Sequence, residues 1–342
     1  RGLGDVYKRQ ISEFFMNLFR EAEGFKSVCI AGMSKNAGKT TVLNAFLDAF
    51  HAHGVGVAVT SIGRDGESND VVFDVAKPEV FLKKGDIAAT AKGLLPLCTV
   101  TREILCATGF PTPLGEVVVF RALSDGFVQI AGPSIVAQLA ELKKIFFGLG
   151  ARIVFFDGAL GRKSLCSPEV ADAAVLASGA SLSADMDFTV AETAFAVRLL
   201  QSDALNPDTA ARLEKAEAAC ALTENGIVPL DKSVKPAENT RLIFVPGALT
   251  NERKWAMDTA AELSVPLVVE NGANVLADRS AAEKFFADGG KLLQLKKVAL
   301  LAVAVNPFSA FGYEYDAATF EKKMRDAVNV PVFNVKNIKV TK

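Results

Sequence analysis

The sequence predicts an α/β protein with a main domain of three layers, in which helices cover a parallel sheet, and a second, smaller α/β region. Short apolar runs that suit buried strands alternate with amphipathic helical patterns along the chain. In addition, 27–62 has the pattern strand, loop, helix, strand, and parallel strands joined in this way need a crossover helix between them.

The first elements follow from hydrophobic patterning. The run SVCIAG (27–32) predicts a buried strand, and VGVAVTSI (55–62) predicts a second one. Between them one helical face is apolar and Gly54 ends the helix; the apolar residues are Val42, Leu43, Phe46, Leu47 and Phe50. Later patterns predict a helix at 134–150 with Ser134 as N-cap, strands at 152–158 and 173–179, and a helix at 188–201.

Composition sets the expected domain boundaries. Residues 116–132 have the pattern of two strands joined by a turn at Asp125-Gly126, and we expect a β-hairpin insertion there. Residues 206–240 are rich in Ala, Glu, Asn, Asp and Pro and are expected to form a linker. We therefore expect a leader at 1–25, a first domain at 26–205, the linker at 206–240 and an α/β region at 241–342. In that last region we expect strands at 241–247, 265–270, 297–306 and 330–335 and a helix at 318–328.

The start of the chain and its charge narrow the classes of protein. The stretch RGLGDVYKRQ resembles the translation of a sequencing adapter, so we expect a partly non-native leader with Met16 as the natural start. Lysine plus arginine (38) nearly balances aspartate plus glutamate (39), which gives no basic surface for nucleic acid or an anionic membrane. No apolar run reaches the roughly 20 residues of a membrane-spanning helix. We expect neither a nucleic-acid nor a membrane partner.

Cysteine and histidine usage argues against a structural metal. Five scattered cysteines without metal-type spacing indicate reduced thiols, and they predict a cytoplasmic protein. The only histidines are His51 and His53, which makes a histidine-based metal site improbable. We expect both of them at the protein surface near the end of a helix.

The stretch AGMSKNAGKTTV (31–42) carries the clearest chemistry. Gly38-Lys39-Thr40-Thr41 opens a helix directly after a strand, the context of a Walker A phosphate-binding loop. In such a loop backbone N–H groups and a lysine bind the phosphates, and a hydroxyl, here that of Thr40, binds Mg²⁺. The alternative is an ordinary turn between a strand and a helix, in which the sequence Gly-Lys-Thr occurs by chance. We expect nucleotide contacts from Gly32, Ser34, Lys35, Asn36, Ala37, Gly38, Lys39, Thr40 and Thr41. Since no guanine-reading N-K-x-D follows the loop, ATP is favoured.

Acidic residues follow two of the predicted strands. Asp157 ends an apolar run and suits a Walker B acid that holds Mg²⁺, although it could simply cap the next turn. The polar stretch TSIGRDGESND (60–70) lies at the carboxyl end of a strand, where ligands bind in parallel sheets. There we expect Arg64 to contact the nucleotide, Asp65 to act in catalysis with Lys39, and Glu67 to bind Mg²⁺. The alternative is a polar surface turn.

The position of the first glycine narrows the class of loop. Gly32 precedes Lys39 by seven residues, one more than in the common Walker A pattern. In this the loop resembles that of dethiobiotin synthetases, within the class of P-loop NTPases that includes MinD-like ATPases. Many members of that class carry a loop lysine that reaches across a dimer. Lys35 lies one position later than that lysine, so a contact in its own chain stays an alternative.

Several segments together resemble the KamB-type P-loop ATPases. They are SKNAGKTTVLNAF, TSIGRDGE, KPEVFL, TPLGEVVVFRA, VQIAGPS, FFDGALGRKS and VNPFSAFGYEYD, and the resemblance spans 26–335. It implies a Mg²⁺-dependent ATPase that reactivates an adenosylcobalamin-dependent lysine 5,6-aminomutase, together with a second reactivase subunit and as a homo- or heterodimer. No D-x-H-x-x-G cobalamin motif occurs in this chain, so it would act on a partner that holds the cofactor.

Two other functions remain open from the sequence. One is an ATP-dependent ligase of the dethiobiotin-synthetase kind, in which a Lys-Pro after the second strand helps hold the substrate; Ser61-Ile62 takes that place here. The other is a nucleotide-switched binding protein, although the carboxyl-terminal VPVFNVKNIKVTK is strand-like and not a basic amphipathic helix. The stretch VNPFSAFGYE (305–314) is either a contact loop or a connection that covers the core.

Overall fold

Two compact α/β units make up the chain. The computed structural model describes residues 17–63, 79–160 and 168–335. The first unit combines Arg1–Ala191 with Leu300–Lys342, and the second is Glu192–Ala299. This division corrects the expected boundaries at 205 and 240, because the last two strands of the chain return to the sheet of the first unit.

Strands are numbered in chain order. They are β1 (Ser27–Gly32), β2 (Val57–Ser61), β3 (Val80–Leu82), β4 (Ile87–Ala91), β5 (Arg102–Ala107), β6 (Val117–Ala122), β7 (Gly126–Val128), β8 (Ile153–Leu160), β9 (Ala173–Gly179), β10 (Asp203–Ala204), β11 (Cys220–Thr223), β12 (Gly226–Pro229), β13 (Thr240–Val245), β14 (Leu267–Val269), β15 (Leu292–Gln294), β16 (Ala299–Asn306) and β17 (Val332–Asn334).

Helices are numbered in the same way. Residues 17–23 are helical and are labelled α1. The others are α2 (Lys39–Ala52), α3 (Val136–Gly148), α4 (Met186–Leu200), α5 (Pro207–Leu213), α6 (Trp255–Glu262), α7 (Arg279–Ala287) and α8 (Ala317–Ala327). Short 3₁₀ helices lie at Lys92–Leu97, Asn251–Arg253 and Gly272–Asn274. Among the residues described, no helix has both the length and the apolar composition needed to cross a membrane.

The first unit is built on a nine-stranded sheet in the order β17-β16-β9-β1-β8-β2-β4-β6-β5. β1 pairs in parallel with β8 and β9, and β2 pairs in parallel with β8 and β4. β6 runs antiparallel to both β4 and β5. The fold is therefore α/β as predicted, but this sheet is mixed and not parallel throughout. The central position of β1 brings its carboxyl end beside those of β8 and β9.

Burial of apolar side chains holds α2 against this sheet. The predicted face of α2 is buried, and the Phe50 ring lies 5.2 Å from the ring of Phe155 on β8. Phe19 of α1 is 1 % exposed and packs edge-on against Phe50 at 4.5 Å. Residues 17–23, expected in the leader, thus belong to the core, because three side chains of α1 are buried: Leu18, Phe19 and Ala22.

The two histidines, one in α2 and one in the turn after it, have different surroundings. The His51 side chain is buried and its Nε2 lies 2.7 Å from Oδ2 of Asp86, whereas His53 is exposed. The surface position expected for His51 is therefore wrong. Asp86 precedes β4, and the pair links the end of α2 to that part of the chain.

The hairpin expected at 116–132 does not form. β6 pairs with β4 and β5, whereas β7 pairs antiparallel with β3 in a separate two-stranded sheet. Asp125 in the turn accepts a hydrogen bond from the backbone N of Lys84 at 2.8 Å, so the turn is held by the β3–β4 connection. The antiparallel hairpin of this region is β5–β6. Ser134 is not the N-cap of α3, since Ile135 occupies that position without a side-chain cap.

The second unit has a six-stranded sheet in the order β10-β15-β14-β13-β11-β12. β13, β14, β15 and β10 run parallel to one another, whereas β11 is antiparallel to both of its neighbours, β13 and β12. The stretch expected as a linker contains α5, β11 and β12, so it is part of this unit. Its core includes Ile243, Val245, Leu267, Val269 and Phe285.

Candidate functional site

The glycine loop, residues 33–38, connects β1 to α2 at the carboxyl edge of the nine-stranded sheet. The backbone N of Met33 donates to the carbonyl of Ala177 on β9 at 2.8 Å, which fixes the start of the loop. Gly38 is the N-cap of α2 with a φ of 94°, and Asn36 has a φ of 60°. Left-handed residues of this kind turn successive backbone N–H groups to one side, which is how backbone concavities bind anions.

The side chain of Lys39 lies back across the loop towards Gly32. Its Nζ donates to the carbonyl oxygen of Ser34 at 3.2 Å. A Cβ at Gly32 would lie 2.8 Å from Nζ and 2.8 Å from Cδ of Lys39. Gly32 therefore makes room for the lysine, which gives a physical reason for a glycine seven residues before it.

Asp157 lies on the neighbouring strand, β8, level with Ile30 of β1 and Ser61 of β2. The strand continues to Leu160, so the expectation that Asp157 ends it is corrected. Burial raises the pKa of the Asp157 carboxyl to about 6, and the charge of Lys39 opposes this rise. Burial likewise lowers the pKa of Lys39, against the attraction of Asp157. The two groups thus influence each other's charge in a partly desolvated environment.

Two buried polar atoms at this place have no hydrogen-bond partner among the described residues, Oγ of Ser34 and Oδ1 of Asp157. Leaving such atoms unsatisfied costs about 1–3 kcal/mol each in a folded protein. A hydroxyl, a carboxylate and an ammonium together suit a phosphate group with a divalent cation. The residues present therefore fit a Mg²⁺–nucleotide.

The helix that follows supplies further groups of the right kind. Thr40 and Thr41 occupy the first turn of α2 and are half-buried. Within the described parts of the chain no group of three or more His, Cys, Asp or Glu side chains could hold a metal. Mg²⁺ does not need such a group, because it is commonly held by one or two protein ligands together with substrate phosphates and water.

The remaining predicted site residues divide into two sets. In the loop Lys35 is exposed and Ala37 is buried, and the contacts expected of them with a nucleotide remain predictions. Arg64, Asp65 and Glu67 lie outside the described residues. The structure therefore brings together Gly32, Ser34, Lys39 and Asp157 from the expected set.

A second connection lies at the carboxyl end of β2. The backbone N of Gly132 donates to Oγ of Ser61 at 3.1 Å, and the backbone N of Gly63 donates to the carbonyl of Pro133 at 3.0 Å. A Cβ at Gly132 would lie 2.1 Å from the carbonyl oxygen of Ser61. The segment VQIAGPS is thus held directly against β2, and β2 is joined to β8 at Asp157 by a hydrogen bond from Ile62 N to Asp157 O of 2.8 Å.

Asn306 at the end of β16 is a site residue that the sequence interpretation missed. Its Nδ2 donates to the carbonyl oxygen of Asn36 in the glycine loop at 3.0 Å. The available signal was a polar residue at the carboxyl end of a long apolar strand, VALLAVAVN, where ligands bind in parallel sheets. Comparisons of the chain with protein-family models, with curated proteins and with solved structures found no match.

Proposed function

We propose that this chain is a Mg²⁺-dependent ATP-binding and ATP-hydrolysing protein, and that its first unit is a three-layer P-loop NTPase domain. The observation that carries the proposal is the cluster of Lys39, Ser34 and Asp157 at the carboxyl edge of β1 and β8. Two of its buried polar atoms have no hydrogen-bond partner among the described residues. A phosphate with its cation is the ligand that would satisfy both.

The chemistry follows from the charges of these residues. Backbone N–H groups of the glycine loop and the amino end of α2 attract the phosphates of the nucleotide. Lys39 neutralises charge on the β- and γ-phosphates, which stabilises the transition state of phosphoryl transfer. Thr40 and Asp157 would hold Mg²⁺, which supplies further neutralisation when bound. Asp65 is proposed to orient the attacking water, with Arg64 on the nucleotide and Glu67 near the cation.

The central test is nucleotide binding by isothermal titration calorimetry with Mg-ATP. We expect the wild type to bind, and Lys39→Ala to lose binding and hydrolysis while the fold survives, because one partly buried charge is removed from the loop. Lys291→Ala, which replaces an exposed lysine of the second unit, is the matched control and should bind like the wild type. A wild type that binds neither Mg-ATP nor Mg-GTP would overturn the proposal.

The partner of this activity is proposed from the sequence resemblance alone. We propose that the chain, in the cytoplasm, uses ATP to release damaged cobalamin from an adenosylcobalamin-dependent aminomutase, with a second reactivase subunit. Differential affinity of the ATP-bound and ATP-free states for the aminomutase would supply the required work. The test is recovery of a cobalamin-inactivated aminomutase with ATP and both subunits. ADP release that depends strictly on a small carboxylate or amine would instead indicate the ligase activity.

A further inference from the structure

The glycine loop receives a hydrogen bond from a residue far away in the chain. Nδ2 of Asn306 donates to the carbonyl oxygen of Asn36 at 3.0 Å, across a separation of 270 residues. Gly38 lies on the same side, since a Cβ built on it would be 3.5 Å from Cβ of Asn306 and 3.3 Å from Cγ1 of Val335. The end of β16 and the residue after β17 thus form one wall of the loop.

The orientation of the Asn306 side chain is fixed by its other contacts. Its Oδ1 accepts from the backbone N of Phe308 at 3.2 Å, so Nδ2 is the atom that faces Asn36. Its carbonyl oxygen accepts from the backbone N of Ala180 at 3.0 Å. A Cβ at Gly179 would lie 2.4 Å from that oxygen, so the backbone at Asn306 packs closely on the end of β9. Asn306 is therefore held from two sides.

The loop needs this support because of its backbone. Asn36 has a φ of 60°, a left-handed conformation that residues other than glycine adopt at a cost. Its carbonyl points to Asn306, and this leaves the N–H groups that follow free to turn towards a bound anion, as in other backbone concavities. Without the hydrogen bond from Nδ2 of Asn306, the peptide after Asn36 is held less firmly in this orientation.

We propose that Asn306 is a positioning residue of the phosphate site, which holds the Asn36 peptide in the orientation that binds the nucleotide. The consequence for ATP rests on the proposed function; the effect on the loop does not. Asn306 acts through Asn36, and no contact of its own with the nucleotide is required.

The first experiment measures amide hydrogen exchange in the full chain without nucleotide. In Asn306→Asp, a carboxylate oxygen of nearly the same shape replaces the donor and repels the Asn36 carbonyl. We expect amides at 34–41 to exchange about fivefold faster in this variant and in Asn306→Ala, as for the loss of one hydrogen bond. A residue that only fills space would leave Asn306→Asp unchanged, and unchanged exchange in both variants overturns the proposal.

The matched control is Asn271→Ala in the second unit. Asn271 is buried, and its Nδ2 likewise donates to a backbone carbonyl, that of Lys296, at 3.2 Å. This variant should speed exchange around 271–275 and leave 34–41 at the wild-type rate. Faster exchange at 34–41 in the control as well would mean general destabilisation and would count against a specific role of Asn306.

The second experiment measures Mg-ATP binding by calorimetry. We expect Asn306→Ala to weaken binding about fivefold, with the change mainly in the dissociation constant and less in the rate at saturating ATP. If the wild type does not bind ATP while exchange at 34–41 responds to Asn306, the proposed function fails and the role of Asn306 in the loop stands. If exchange responds and ATP affinity does not, positioning for the nucleotide is refuted.

Discussion

At the scale of single residues, a substitution of Gly32 should change the geometry of the site with little change in the stability of the fold. A Cβ there would meet the end of the Lys39 side chain at 2.8 Å, and a flexible side chain can move aside. We expect Gly32→Ala to change the free energy of unfolding by about 1 kcal/mol or less. Because Lys39 is displaced, Mg-ATP affinity measured by calorimetry should fall at least about tenfold.

The control for this substitution is Gly56→Ala, at a glycine whose added Cβ would have its nearest neighbour at 3.9 Å. Both variants are compared by urea unfolding and by calorimetry. If Gly32→Ala binds Mg-ATP as tightly as Gly56→Ala does, the explanation of the first glycine by the lysine side chain is wrong.

Asp157 should make stability depend on pH. Burial raises its pKa from an ordinary value of 3.8 to about 6. Between these values the folded state binds more protons than the unfolded state, so this group favours folding at low pH and the benefit is lost as pH rises through about 6. We expect Asp157→Asn to gain stability over the wild type from pH 4 to pH 7, by at most about 3 kcal/mol.

This prediction is checked by urea unfolding at several pH values with EDTA present. The companion variant is Lys39→Met, since removing the positive charge that opposes the rise should move the transition of the Asp157 carboxyl to higher pH. A constant difference between Asp157→Asn and the wild type from pH 4 to pH 8 would contradict the raised pKa.

The closeness of Lys39 and Asp157 was predictable because both residues follow local patterns. Lys39 opens the helix that follows β1 and Asp157 lies on an apolar strand, and parallel strands place such positions at one edge. The role of Asn306 was not predictable, because its hydrogen bond to Asn36 depends on the position of β16 in the sheet, where only β9 separates it from β1. No local pattern encodes that neighbourhood.

At the scale of elements, the pair His51–Asp86 links the end of α2 to the start of β4. Asp86 is 4 % exposed and also accepts from the backbone N of Lys83 at 2.7 Å. His51→Ala leaves this carboxylate buried without its side-chain partner. We expect the free energy of unfolding at pH 7 to fall by about 2 kcal/mol, as for the loss of a hydrogen bond to a buried charged group.

His53→Ala is the matched control, two residues further along the chain. His53 is exposed and its ring stacks on Phe19 with 4.4 Å between centroids, so its removal should cost about 1 kcal/mol or less. Urea unfolding of both variants decides the matter. Losses of similar size in the two would show that the buried pair does not stabilise α2.

Elements with strong local signals were predicted well, and those decided by distant partners were not. β9 and α8 lie close to their predicted ranges because the runs are apolar or amphipathic throughout. The expected hairpin failed because β7 pairs with β3. The expected linker contained unused signals: Asn206 caps α5 ahead of Pro207, and the two-residue turn Glu224-Asn225 joins β11 to β12.

At the scale of the whole molecule, the first unit depends on the last part of the chain. β16 lies beside β9, whose seven residues are all buried, and β17 lies on the other side of β16. A chain that stops at residue 299 would leave β9 as an open apolar edge, and such edges pair with other chains. We expect this truncated protein to aggregate, whereas a chain that stops at residue 335 should keep the oligomeric state of the full chain.

Sedimentation velocity and near-ultraviolet circular dichroism test the prediction on both truncated chains. A monomeric 1–299 chain with the aromatic dichroism of the full protein would show that the first unit is complete without β16 and β17. The sequence predicted two α/β regions correctly in kind, but it assigned the last strands to the second, since strands near in sequence are usually neighbours in space.

The contact between Asn36 and Asn306 also has a consequence for synthesis on the ribosome. The two residues are 270 positions apart. At about 5–20 residues per second, roughly 15–55 s pass between their translation. During that interval the glycine loop has been made but the wall formed by β16 has not. A nascent chain therefore cannot hold its glycine loop in the final form until β16 has been translated, which postpones the proposed binding of nucleotide to that point.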